Sequence, residues 1–307
     1  MARLLIAGKL VVDDVLECDD PLLPGSNQRA RARRIEGGGQ AWHTSRAAAK
    51  AGAQVSVTGW CGDDADTDRL RADLASWGID DHLAPLADAP RSTVLVHAGD
   101  RTIVSYGGGG HLTIDALDHG AALDDVALLH IDGFALDAVS GDALVALAHE
   151  AARRGIPITL EPPRPTKCAS CATWLAALPP LHAILGRPDE IEVVSGYLTA
   201  APSITVAHDQ DRPIVSREGS AEITTPVPIV EIASLGAGDR FAGGWLASRL
   251  HGADLATAAL AGIAAAGSPL SSGRARARSA CAAPRWCPRR SPAPWHRARS
   301  APRGTRS

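Results

Sequence analysis

Read as hydrophobic and polar positions, the chain opens with a short apolar run, Leu4 to Ala7, closed by Gly8. Such a run suits a strand buried on both faces. Similar runs recur at Val55 to Gly59, Leu128 to Asp132, Ile156 to Glu161 and Leu181 to Leu185. Between them Leu70 to Ser76 reads as a helix ahead of Gly78, and Asp142 to Arg154 as an amphipathic helix stopped at Gly155. Strands alternating with helices predict an α/β domain with a mostly parallel sheet flanked by helices. Ser203 to Ala207, Pro213 to Ser216 and Glu222 to Thr225 are further short strands, and Leu255 to Ala266 is an Ala-rich helix.

A second group of strands falls outside that alternation. Residues 11–18 and 28–35 read as edge strands, with Pro21, Pro24 and Gly25 punctuating the turn between them. Residues 92–97 and 101–106 form a hairpin around Ala98-Gly99-Asp100. Together they predict a small β lid.

The 307 residues, 45% of them hydrophobic, suffice for a substantial core. No apolar run reaches membrane-spanning length and no signal-peptide pattern precedes Leu4, so a soluble cytoplasmic protein is expected. The net charge of −3 conceals an asymmetry. Residues 273–307 hold ten Arg and no Asp, Glu or Lys, which leaves 21 basic groups against 34 acidic ones before them, a formal charge of −13. An acidic body argues against nucleic acid as a partner. Cys168 and Cys171 alone have the spacing of a metal or redox pair; lacking a matching second pair, the cysteines read as reduced thiols. Beyond Gly267 no periodicity survives. That Arg/Pro-rich stretch, 268–307, reads as a disordered tail, as a segment for nucleic acid or an acidic partner, or as a shifted reading frame.

The most informative stretch is Ser234-Leu235-Gly236-Ala237-Gly238-Asp239-Arg240-Phe241-Ala242-Gly243-Gly244. It reads as a loop opening a helix, with Phe241, Trp245, Leu246 and Leu250 at helical spacing. Bare backbone donors at Gly236, Ala237 and Gly238 make such a helix start an anion site. Asp239, in the first turn, places a carboxylate beside that anion, where it can take the proton from a hydroxyl attacking a phosphoryl group. A Gly-rich turn with an acid favouring the helix dipole would carry the same four letters, Gly-Ala-Gly-Asp.

With Phe241 to Gly244 following, this stretch resembles the C-terminal signature of the ribokinase-like (PfkB) carbohydrate kinases, Asp-Thr-x-Gly-Ala-Gly-Asp-x-Phe, with Ala233 and Ser234 in place of Asp and Thr. Gly37-Gly38-Gly39-Gln40-Ala41-Trp42-His43 and the Ala-rich helix ending at Gly52-Ala53 resemble the family's N-terminal Gly-Gly-x-x-x-Asn pattern, with His43 in place of Asn. The resemblance spans residues 3 to about 267. It implies a three-layer α/β/α domain with a mostly parallel central sheet and a small β lid over residues 1–267.

It also implies site residues. Asp13, five residues after Gly8, would hold sugar hydroxyls, with Gly38, Gly39, Gln40 and His43 completing the substrate site. Asp239 would be the catalytic base and Gly236, Ala237 and Gly238 the anion hole. Glu190 matches the family Glu that orders water around Mg²⁺, and Arg187, in place of an Asn, could pair with nucleotide phosphate. Thr205 falls in the nucleotide-binding stretch, where Ala207 and Gln210 replace glycines. Cys61-Gly62-Asp63-Asp64 resembles a structural Gly-Asp-Asp turn, and Glu161-Pro162-Pro163-Arg164 an Asp-Pro-Asn-x-Arg turn in outline. Ala233 implies little activation by potassium.

The implied function is an ATP- and Mg²⁺-dependent kinase of a sugar or polyol, with no nucleic-acid or membrane partner and a homodimer through the lid. Two alternatives stay open: a nucleoside kinase of the same fold, and a non-catalytic sugar-binding or regulatory relative with impaired ATP binding.

Overall fold

The computed structural model describes residues 2–20, 23–97, 100–209, 212–227 and 236–267. Ala233, Ser234, Gln210, the turn at 98–99 and the Arg-rich stretch 268–307 lie outside the described residues. What is described falls within one compact unit, Met1–Leu270.

The chain starts with β1 (Arg3–Lys9), whose side chains alternate between two cores. Leu4 and Ile6 enter one, Leu5 and Ala7 the other. A strand apolar at every interior position is what a sheet covered on both faces demands. Only Leu10 separates β1 from β2 (Val11–Cys18), which joins a different sheet with β3 (Ala32–Gly38). α1 (Gln40–Lys50) then returns to cover the first sheet, followed by β4 (Gln54–Gly62), α2 (Ala65–Ser76) and β5 (Asp80–Leu86). β6 (Arg91–His97) and β7 (Asp100–Tyr106) complete the lid in the order β3-β2-β6-β7.

Past a short helix, α3 (His119–Ala122), the chain crosses back to β8 (Val126–Asp132), beside β1. From there it alternates through α4 (Gly141–Arg153), β9 (Ile158–Glu161), α5 (Pro165–Ala177), β10 (Ala183–Gly186), α6 (Pro188–Ser195) and β11 (Ile204–Asp209). β12 (Arg212–Glu218) and β13 (Ala221–Thr225) add an antiparallel edge. α7 (Ala237–Leu250) and α8 (Leu255–Ala266) close the described chain. The main sheet has nine strands in the order β13-β12-β11-β10-β9-β8-β1-β4-β5. Residues of α1, α2, α7 and α8 pack on one face and residues of α4, α5 and α6 on the other. This is the ribokinase-like α/β fold. The chain leaves β1 in one direction for β4 and β5 and later in the other for β8, so β1 and β8 flank a topological switch point, where open α/β sheets bind ligands.

Several expected boundaries move. β2 is flanked by β3 and β6 and is not an edge strand; the edges are β3 and β7. The second lid strand runs over Ala32–Gly38, displaced from 28–35, so that Gly37 and Gly38 pair with Val12 and Val11. Cys61 and Gly62 continue β4, and the turn reduces to Asp63-Asp64, where Asp64 caps α2 by accepting from the Thr67 N–H at 2.8 Å. α5 has no counterpart among the expected elements; its apolar positions are Cys168, Cys171 and Leu175, and thiols are weak markers of a helix face.

Gly59 and Gly8 stand opposite each other in the β1/β4 register. Gly59 has φ +116°, and a Cβ there would collide with the Gly8 carbonyl oxygen. Gly8 in turn faces Asp132, whose Cβ lies 2.7 Å from where a Gly8 side chain would start. We expect Gly59→Ala to lower the free energy of unfolding by about 2 kcal/mol or more, read from urea titrations; an unchanged midpoint would show that β1 and β4 can spread to admit a methyl group.

Candidate active site

A cleft of about 970 Å³ opens between the carboxyl ends of the main-sheet strands and the lid. Asp13 from β2, Gln40 and His43 from α1, Lys9 from β1, Asp132 from β8 and Arg101 from β7 line it together with Gly236 to Asp239 at the start of α7.

The α7 end is shaped by Gly236, which takes the left-handed conformation (φ 68°, ψ 18°) as N-cap. A helix start leaves its first N–H groups without intrahelical acceptors, and here those of Ala237, Gly238 and Asp239 belong to residues lining the cleft. His43 sits against Gly236; a Cβ there would lie 2.8 Å from the imidazole. Burial, with Arg240 and Arg46 nearby, lowers the His43 pKa to about 3, so the ring is neutral and offers one donor and one acceptor.

Asp239 is half-buried. Its backbone carbonyl accepts from Thr44 Oγ1 at 3.1 Å, and the same hydroxyl lies 3.5 Å from Glu161 Oε2. The Asp239 and Glu161 carboxyls lie close enough for each to shift the other's protonation. Burial and the Glu161 charge push Asp239 well above the ordinary carboxylate range. Burial raises Glu161 to about 8, with Asp132 and Glu190 adding to the effect. Asp132 stands opposite Glu161 in the β8/β9 register; burial raises it to about 6, offset by Lys9. His130 lies 3.7 Å from Glu161 Oε2, but burial lowers it to about 4, so it brings no positive charge to the pair. The result is a cluster of carboxyls with raised pKa values beside the start of α7.

Asp13, 5% exposed, is raised to about 7 by burial and by Glu36 and Asp239, against a hydrogen bond from Ser92. Gly38 does not line the cleft; it leaves room for the Asp13 carboxylate, which occupies the space a Cβ would take. Gln40 donates to the Pro162 carbonyl at 3.3 Å, and its buried Oε1 has no partner. Arg187 lines the cleft while paired with Asp189 at 3.1 Å. Glu190 Oε2 accepts from the Arg187 N–H at 3.0 Å, closing the first turn of α6, and Glu190 is not among the lining residues. Thr205 lies within β11 between Ile184 and Arg217, away from the cleft lining.

Lys9, Thr44, Asp132 and Glu161 were not expected at the site. Asp132 and Glu161 carried a usable signal, since each ends a strand at the sheet's ligand edge. Thr44 inside a helix carried none.

A helix N-terminus and a carboxyl meeting in a polar cleft, roofed by a small sheet at a switch point of a parallel one, is the arrangement of a small-molecule phosphotransferase. The chain belongs to the pfkB family of carbohydrate kinases, whose family model matches residues 1–279. An ATP-dependent ribose-1-phosphate kinase from Halopiger xanaduensis is 27% identical over 289 residues, covering 91% of this chain and 95% of that one. Among solved structures, an adenosine kinase from Sinorhizobium meliloti superposes with a TM-score of 0.75 at 18% identity, over 87% of this chain and 93% of the other. A ribokinase from Thermotoga maritima gives 0.69 at 18% identity, over 87% and 92%. An E. coli protein provisionally assigned as a ribokinase II, in complex with ATP and Mg²⁺, gives 0.73 at 18% identity, over 88% and 94%.

The buried carboxyls have a consequence for stability. Each holds its proton more tightly in the folded chain than in the unfolded one, so the folded state is favoured at low pH. That advantage is lost as pH rises from the ordinary Glu value of 4.5 through about 8 for Glu161. Urea unfolding should therefore give a larger free energy at pH 5 than at pH 8, and Glu161→Gln should narrow the gap by about 1 kcal/mol or more. An unaltered gap would mean that Glu161 is solvated in the folded protein.

Proposed function

We propose that this chain transfers the γ-phosphoryl group of ATP to a hydroxyl of a sugar or sugar-like acceptor, with Asp239 as the base. The observation that carries this reading is that Asp13 and Asp239 face one cleft and feel each other's charge, with the first-turn donors of α7 beside the second. Asp13, Gln40 and His43 would hold the acceptor's hydroxyls, and the N–H groups following Gly236 would stabilise charge developing on the transferred group. Asp239 must be ionised to accept the hydroxyl proton, and burial beside the Glu161 charge makes that ionisation harder in the free enzyme. The lid would exclude water from the transfer.

On the far side of Gly238, His208, Ile214, Phe241 and Ile263 line a small apolar recess in which His208 and Phe241 lie 4.7 Å apart, a surface suited to a nucleotide base. Arg187, which lines the neighbouring cleft, would meet the nucleotide's phosphates, whereas Thr205 lines neither the cleft nor the recess. No three His, Cys, Asp or Glu side chains converge on a metal position among the described residues. Mg²⁺ would keep most of its waters and take few protein oxygens beside the nucleotide phosphates. Glu190 is the carboxylate that would order those waters, and the ion would neutralise phosphate charge. The relative named for ribose 1-phosphate supports a pentose-like acceptor.

No helix of the described residues is long and apolar enough to cross a membrane. A cytoplasmic location is part of the proposal, as is a homodimer through the lid, where Ile35, Ile103, Val104 and Tyr106 are exposed.

Asp239→Asn should lower kcat by at least about a thousandfold in a coupled ADP-release assay, with acceptor affinity within a few-fold of wild type. Turnover close to wild type would remove Asp239 from the chemistry and favour a binding-only role.

A further inference from the structure

Lys9 is a cation where recognition of an uncharged polyol requires none. It ends β1, directly beneath the lid, and its side chain is 21% exposed, toward the cleft it lines. The ammonium is fixed from two sides, and its charge also reaches the Asp132 carboxyl. Its Nζ donates to Asp137 Oδ2 at 2.8 Å and lies 5.8 Å from the centre of the Trp60 ring. Both partners are themselves immobilised. Asp137 Oδ1 accepts from the N–H groups of Val139 at 3.0 Å and Ser140 at 3.2 Å, while Trp60 Nε1 donates to Ser140 Oγ at 3.1 Å.

An ammonium has three N–H donors, and Asp137 takes one. As an acceptor sugar fills the cleft it strips water from the remaining donors, which costs free energy unless the incoming molecule supplies acceptors of its own, best of all an anion. The lid wall adds Arg101 to the lining, and Arg91, whose charge is already met by Asp64 and Asp66. Asp137, bound to three donors of the protein, is poorly placed to serve a sugar hydroxyl.

We propose that Lys9 is a specificity-determining residue that binds an anionic group, a phosphate or a carboxylate, carried by the acceptor sugar in addition to the hydroxyl that is phosphorylated. The inference rests on the kinase reading above and narrows its acceptor from sugars in general to acidic ones. Asp13, Gln40 and His43 would then orient the ring while Lys9 fixes its charged substituent, so only one end of the acceptor can face Asp239.

The test is ADP release by the full chain with a pentose, its 1-phosphate, its 5-phosphate, the corresponding aldonic acid and a nucleoside, for wild type, Lys9→Met and Lys9→Arg. Wild type should turn over at least one of the acidic acceptors with a kcat/KM tenfold or more above that of the uncharged pentose. Comparing the phosphates with the aldonic acid identifies the anion. Lys9→Met should collapse that preference at least tenfold, chiefly through KM, and Lys9→Arg should restore part of it. The preference should also weaken as ionic strength rises. A wild type that favours the pentose or the nucleoside would overturn the inference and leave the kinase intact. A preference unchanged in folded Lys9→Met, checked by thermal melting, would do the same. No ADP release with any acceptor would overturn the kinase reading itself.

Discussion

The site depends on how closely α7 is gripped between α1 and α8. A Cβ on Gly243 would collide with the Thr44 carbonyl and Ala47 of α1, and one on Gly244 would meet the Ala261 carbonyl of α8 at 2.6 Å. From the other side Gly262 makes room for the Phe241 ring. Bare backbone at these crossings lets three helices approach more closely than side chains would allow, and every residue of α7 from Arg240 to Ala247 is buried. The start of α7 is therefore held by packing along its whole length, and the Thr44 hydroxyl ties its first turn to α1. Preorganised donors are useful to a transferring phosphoryl group only if they do not have to be rearranged to meet it.

Against that rigid frame the electrostatics are poised. Asp132, Glu161 and Asp239 are crowded at neighbouring positions, offset in part by Lys9, Arg240, the Thr44 hydroxyl and backbone donors, and Glu190 raises Glu161 and Asp239 further. Such a cluster relieves its repulsion by retaining protons or by receiving cations. Under the proposed mechanism the upward shift has a functional logic: Asp239 would become a competent base when the cleft's occupants bring compensating charge, which would tie hydroxyl activation to a filled site.

The alternation of apolar strands and helices made the layered domain legible, because a two-sided parallel sheet imposes that text on Leu4 to Ala7 and Leu128 to Asp132. The glycines around Asp239 made one wall of the cleft legible for the same reason: only bare backbone suits a left-handed N-cap. The expectations that shifted are those where sequence does not encode direction. Nothing in residues 11–18 distinguishes an edge strand from an inner one, and nothing at Thr205 reveals that it lines neither the cleft nor the recess beside it. Lys9 read as an ordinary residue after a strand, since its significance comes from Trp60 and Asp137, 51 and 128 positions away.

β1 and β2 are one nearly uninterrupted stretch of chain, yet they belong to different sheets. The single intervening residue, Leu10, is buried and its N–H is held by the Trp60 carbonyl at 3.1 Å. Lys9 stands on one side of that pivot and Asp13 on the other. An acceptor grasped by both would tie the lid to the main sheet across a fulcrum one residue wide, so the molecule enclosed would itself become part of the hinge.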